Sequence, residues 1–166
     1  DKFHIDTAVF FNGKTFFIFS DVINEKQRGG RYEYIVRDRK AMKDWLDTLD
    51  KDITLLGFNS TKLDYQLLLK AFEIEFRTID LMDAMGLVIA EEYDIEKKRY
   101  TLREATRWNS IKQTVLPHFS WVFNSVELFT EWFNQRFRGA IKSLCAECEM
   151  IAKLGYRIRR KGEVRI

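Results

Sequence analysis

The order of apolar segments predicts an α/β fold, a mixed sheet built from an antiparallel hairpin and parallel strands and flanked by helices. Three observations carry this. Alternating residues open the chain around an Asn12-Gly13 turn signal, short apolar runs then alternate with helical patterns from about residue 53 to 89, and mainly helical patterns follow. Alternation in the middle favours parallel pairing, because strands running the same way need a crossover and a helix supplies it.

Phe3 to Phe11 alternates, and Asn12-Gly13 separates Phe10-Phe11 from Thr15-Phe16-Phe17-Ile18-Phe19. Asn-Gly in that setting predicts a type I′ hairpin turn, whose two central residues both need positive φ. A polar, Gly-rich loop, Asn24 to Gly30, leads to a third strand, Tyr32 to Val36, and to a helix from about Arg39 carrying Met42, Trp45, Leu46 and Leu49. The apolar run Ile53 to Phe58, closed by a Gly-x-Asn-Ser turn signal, reads as a buried strand. The next helix starts near Thr61, with Leu63, Leu67, Ala71 and Phe72 as its core stripe and Asp64 in its first turn, close to the strand's carboxyl end. The macrodipole favours a carboxylate there. In a sheet flanked by helices, the same place is where ligands bind.

Ile74 to Ile79 reads as a strand ending at Asp80, which starts a helix over Leu81 to Ile89. The charged segment Glu91 to Tyr100 reads as a loop, and Thr101-Leu102-Arg103-Glu104 is a capping box. Residues 109 to 124, with the sole proline Pro117 and the aromatics Phe119, Trp121 and Phe123, have no regular period. Exposed, those aromatics would offer a docking surface, although core packing is the commoner fate of such residues. A helix is expected from Asn124 to about Phe137, a break at Gly139, a last helix from about Ala140 to Leu154, and a short strand over Tyr156 to Arg159. No repeat or linker divides the sequence, so one domain over residues 1–166 is expected.

At 166 residues the chain can bury about two thirds of its extended surface. Its 46% hydrophobic and 32% charged residues exclude a disordered class, and 14 Phe with 4 Trp supply bulky core material. No apolar run approaches the roughly 20 residues of a membrane span, and no signal-peptide pattern opens the chain, so a cytoplasmic location without membrane contact is expected. The chain begins at Asp1 with no initiator Met, which suggests a piece of a larger polypeptide. Cys145 and Cys148 lie three apart on a helical pattern; with only His4 and His118 elsewhere, a buried structural role outweighs zinc or redox chemistry. The net charge of +3 is uninformative, but Arg136, Arg138, Lys142, Lys153, Arg157, Arg159, Arg160, Lys161 and Arg165 crowd the end. Such a segment either tracks phosphates or forms a solvated basic terminus.

Gly57-Phe58-Asn59 followed by Leu63-Asp64 and an apolar helix resembles the second motif of the DnaQ-like (DEDD) 3′→5′ exonucleases, which have a ribonuclease-H-like fold. The resemblance spans Phe3 to about Leu154. It implies a two-metal site of four acidic side chains. At the first motif, a Phe-Asp-Ile-Glu-Thr type sequence in the family, this chain has Phe3-His4-Ile5-Asp6-Thr7, with His4 and Asp6 on one strand face. His4 is a single neutral nitrogen donor and cannot bridge two hard Mg²⁺ ions, and Asp6 is one methylene shorter than the usual glutamate. At the third motif, aligning Glu147-Cys148-Glu149-Met150-Ile151 with the family's Asp-Val segment puts Ser143 four residues earlier, where the family has a water-orienting Tyr or His. The register one residue later, Leu144 with Cys148, serves catalysis worse.

The resemblance therefore implies His4, Asp6, Asp64 and Glu147 as metal ligands and Ser143 in the water-orienting place. Loss of the bridging carboxylate removes the centre of the two-metal mechanism. Three readings follow: a degenerate exonuclease-fold domain that binds single-stranded nucleic acid or a protein partner without cutting, which the site chemistry favours; an active exonuclease with an unusual Mg or Mn site; and a docking module of a larger replication or repair protein.

Overall fold

In the computed structural model, which describes residues 7–20, 28–29, 32–36, 39–58, 60, 64–86, 101–112 and 137–161, the opening hairpin pairs Thr7–Phe11 (β1) antiparallel with Phe16–Ser20 (β2). The register runs from Thr7 opposite Ser20 to Phe11 opposite Phe16, so the two central turn residues are Gly13 and Lys14. Only Gly13 among the turn residues has positive φ, at 97°. This is the II′ pattern, with glycine at the first central position, and not the type I′ turn expected. Asn12 serves as the corner instead: its Oδ1 accepts hydrogen bonds from the backbone N–H of Lys14 and Thr15 at 2.9 and 2.8 Å. An asparagine side chain closes such turns locally.

The polar loop after the hairpin contains a two-residue strand that sequence reasoning missed, Arg28–Gly29 (β3), paired antiparallel with Tyr32–Val36 (β4). β4 lies parallel to β2, giving a mixed four-stranded sheet of order β1-β2-β4-β3. A second sheet consists of two parallel strands, Thr54–Gly57 (β5) and Arg77–Asp80 (β6). The helices are Arg39–Thr48 (α1), Asp64–Phe72 (α2), the helical residues 81–86 (α3), Leu102–Trp108 (α4) and Phe137–Lys161 (α5). The fold is mixed α/β, as expected, with two sheets among the described residues. The chain divides into two compact units. Among the described residues one holds 7–48 and 137–149, and the other holds 49–112 and 150–161.

In the first unit β2 is the central apolar element. Phe16, Ile18, Phe19 and Ser20 are buried, which a strand achieves only when both faces are covered. Period two puts Phe17 and Phe19 on one face beside Phe10 of β1, and Trp45 of α1 packs on all three rings at centroid distances of 4.8, 5.3 and 5.1 Å. On the other face Phe11 stacks on Phe16 at 4.4 Å and the Thr7 and Ser20 hydroxyls hydrogen-bond at 2.9 Å. The first part of α5 is buried along two lines, Ile141 with Cys145 and Ser143 with Ala146. Its Cys148 thiol donates to the Val9 carbonyl at 3.6 Å. Neither cysteine forms a disulfide, and burial pushes the Cys145 thiol up to about 12, with the Glu149 carboxylate adding to the rise.

The second unit has its core where Leu81, Met85, Leu102, Ala105, Met150 and Leu154 meet, with Phe58, Met82, Trp108, Ile111, Ile151 and Ile158 packed against them. The capping box at Thr101 forms as expected: Glu104 N–H donates to Thr101 Oγ1 at 3.2 Å and Thr101 N–H to Glu104 Oε2 at 2.8 Å. At the other end of α4, Ile111 N–H bonds the Thr106 carbonyl and Ser110 N–H the Arg107 carbonyl, at 2.9 and 3.1 Å. This is a Schellman cap. Ser110 occupies its left-handed position, φ 56°, where glycine is usual.

β5 departs from its expected burial. Leu56 and Ile79 are register partners and are 40% and 45% exposed. β6 is shorter than the run from Ile74, starting at Arg77. Gly139 does not break the closing helix, and residues 156–159 are helical, not a strand. One glycine costs a helix only about 1 kcal/mol. Met150, Leu154 and Ile158 continue the apolar spacing of four that keeps the chain helical. Residues 3–6, 87–100 and 113–136, on which the first-motif, loop and aromatic-segment readings fall, lie outside the described residues.

Ser110→Gly is expected to raise stability by about 0.5–1 kcal/mol, since an L-residue in the left-handed region is strained and glycine is not. Urea unfolding followed by circular dichroism measures it, and a loss of stability would contradict the cap assignment. Cys145, buried with a raised thiol pKa, is expected to resist iodoacetamide at pH 8 in the folded protein and to react once unfolded, with mass spectrometry locating the label.

Candidate functional site at the carboxyl ends of β5 and β6

β5 and β6 run parallel, and their last residues, Gly57 and Asp80, are register partners, so both carboxyl ends open on the same edge. α2 starts there with Asp64, exposed at its amino end, where the macrodipole favours a carboxylate. Tyr65 follows and turns back onto the strands. Its hydroxyl lies 2.8 Å from the Ile79 carbonyl and 3.1 Å from that of Leu55, and its single proton is shared between them. The Tyr65 N–H also donates to the Ser60 carbonyl at 3.1 Å, closing the turn between β5 and α2.

Gly57 is required by this packing. A Cβ there would overlap the Ser60 Oγ and come within 2.7 Å of Ser60 Cβ and 2.9 Å of the Tyr65 hydroxyl. Ser60 is 2% exposed, and its buried Oγ has no hydrogen-bond partner among the described residues. Burial raises the Tyr65 phenol above its ordinary value of 10.0; the Ser60 hydroxyl lowers it in part, and the carboxylates of Asp80 and Asp64 raise it further. Asp80 has a second task. Its Oδ1 accepts from Met82 N–H at 3.1 Å, capping α3 as the sequence indicated.

Of the five residues the sequence singles out, His4 and Asp6 lie outside the described residues. Asp64 sits at the strand ends of the second unit, whereas Ser143 and Glu147 belong to the first, one helical turn apart on α5. Ser143 is 4% exposed and Glu147 is half-buried. Sequence reasoning read Asp80 as a cap alone and gave Tyr65 no role. The usable signal is that Asp80 closes a short strand pattern just as Asp64 opens the helix after the preceding one.

Among the described residues no three His, Cys, Asp or Glu side chains group to hold an ion. What the edge does carry is two carboxylates, Asp64 and Asp80, with the half-buried Tyr65 and the buried Ser60. Among the described residues no helix is long and apolar enough to cross a membrane. Comparison with protein-family models, with curated proteins and with solved structures finds no match.

Tyr65→Phe is expected to cost about 1 kcal/mol, the net worth of a hydrogen bond whose acceptors then lose their donor. The loss has a pH signature. Above pH 10 the unfolded chain releases the phenolic proton while the folded chain keeps it, so this contribution falls as pH rises from 10 toward the folded-state value. Thermal melts across pH 8 to 11 should show an alkaline decline that is smaller in Tyr65→Phe; equal slopes would remove the assignment.

Proposed function

We propose that this chain is a degenerate exonuclease-fold domain that binds single-stranded nucleic acid without cutting it. The observation that carries the reading is Ser143. At the place where the DnaQ-like enzymes use a Tyr or His to orient the attacking water, this chain offers a short hydroxyl that is 4% exposed on α5. A buried serine neither reaches solvent nor has the basicity to order a nucleophile. His4 in place of the bridging aspartate acts in the same direction, since one neutral nitrogen does not join two hard ions. Asp64 is exposed at the start of α2, so its carboxylate is open to solvent even where no hydrolysis follows. Binding without a metal would rest instead on the cations that crowd the end of the sequence and can meet phosphates directly.

The test is an electrophoretic assay of the whole chain with labelled single-stranded DNA and RNA in Mg²⁺ or Mn²⁺. A retarded, full-length oligonucleotide whose retardation weakens with salt is expected. Metal-dependent shortening from the 3′ end, abolished by Asp64→Asn, would replace this reading with an active exonuclease. Restoring the family's carboxylates by His4→Asp with Asp6→Glu is expected to leave the chain inactive, because Ser143 still occupies the water-orienting position. Cleavage by that double variant would show that Ser143 is not limiting.

A further inference from the structure

We infer that the exposed face of the last turns of α5, centred on Tyr156, is the surface on which single-stranded nucleic acid lies; this deepens the binding reading above and rests on it. Helical geometry defines the face. The surface neighbours of a helical residue are those three and four positions away. For Tyr156 these are Ala152, Lys153, Arg159 and Arg160, three cations and one small side chain. Lys153, Tyr156, Arg159 and Arg160 are all exposed. The opposite side of the helix is committed to the core through Met150 and Leu154, with Ile151 and Ile158 packed beside them, so the orientation of the cationic face is set by burial.

Two features separate this face from an ordinary basic helix end. The first is the ring. Cations in the last turns of a helix are favoured by the macrodipole whatever their function, but that accounts for the lysine and arginines only. Tyr156 is 65% exposed, the most of any large apolar side chain among the described residues, and helix stability alone gives no reason to place an aromatic there. The second is the lack of compensation. No acidic residue occurs between Glu149 and Glu163. Among the described residues no ion pair engages Lys153, Arg159 or Arg160.

An aromatic ring with long cationic side chains around it matches the two repeating chemistries of a single strand. A base stacks on the phenol ring, whatever its identity, and the flanking phosphates meet the ammonium and guanidinium groups. A duplex keeps its bases stacked on each other and would leave Tyr156 unused. An anionic bilayer surface needs a broad apolar face beside the charges, and here that face is one ring and one alanine. An acidic peptide would use the cations without the ring.

The experiment is fluorescence anisotropy of labelled oligodeoxythymidine and oligouridine with the whole chain over a salt series. Circular dichroism melts confirm that each variant is folded. Tyr156→Ala is expected to weaken binding about 5- to 150-fold, the range of one lost base stack, and Tyr156→Trp to retain or improve it. Neutralising Lys153, Arg159 and Arg160 together to Gln should reduce the salt slope by about 2, from roughly 0.7 per phosphate contact on a single strand. If the wild type binds and neither set of changes matters, the surface lies elsewhere and the binding reading survives alone. If no oligonucleotide binds at any salt concentration, both readings fall. Phosphatidylserine vesicles or polyglutamate binding in a Tyr156-dependent way in that case would assign the face to the other partner.

Discussion

The phenolic proton of Tyr65, held between the carbonyls of Leu55 and Ile79, is the contact on which the candidate edge depends. Among the described residues β5 and β6 pair only with each other, and parallel pairing is the weaker kind. One side chain from the following helix bonds both strands, fixing their carboxyl ends and the start of α2 in a single arrangement. Gly57 is the companion constraint, since only an absent side chain leaves room for Ser60 and the phenol together. The cost is visible in Ser60, whose buried Oγ has no hydrogen-bond partner among the described residues.

The closing helix carries the other half of the functional argument through its uneven burial. Its early residues are enclosed along two lines, which turns Ser143 into a packing residue and leaves Glu147 half-covered. Its later residues bury Met150 and Leu154, leaving the side with Tyr156 and its neighbouring cations in solvent. A serine enclosed in this way is suited to close packing and unsuited to ordering water. The tyrosine lies on a surface that core packing does not explain. The base stacking and phosphate contacts proposed for Tyr156 and its neighbours need no metal and no general base.

Much of the fold was legible. The hairpin, β4, α1 and the Thr101 capping box follow from period two, period 3.6 and a side-chain-to-backbone exchange that acts within four residues. Misreadings arose where local signals compete. Asn12-Gly13 by itself signals the centre of a turn, but the cross-strand register makes Asn12 the corner and, of the turn residues, gives positive φ to Gly13 alone. Gly139 looked like a break and Tyr156 to Arg159 like a strand; the apolar spacing of Met150, Leu154 and Ile158 overrode both.

By itself the sequence determined the type and order of the main elements, the placement of Asp64 at a helix start and the concentration of cations at the end, because these depend on neighbours within a few residues. Only the tertiary structure decided that two sheets form among the described residues, that Tyr65 joins β5 to β6, that Ser143 is enclosed and that Tyr156 is exposed. Each of these depends on which chain segments are brought together over long sequence separations. Helical period assigns a residue to a face, but whether that face meets protein or water is settled by the packing of the whole chain.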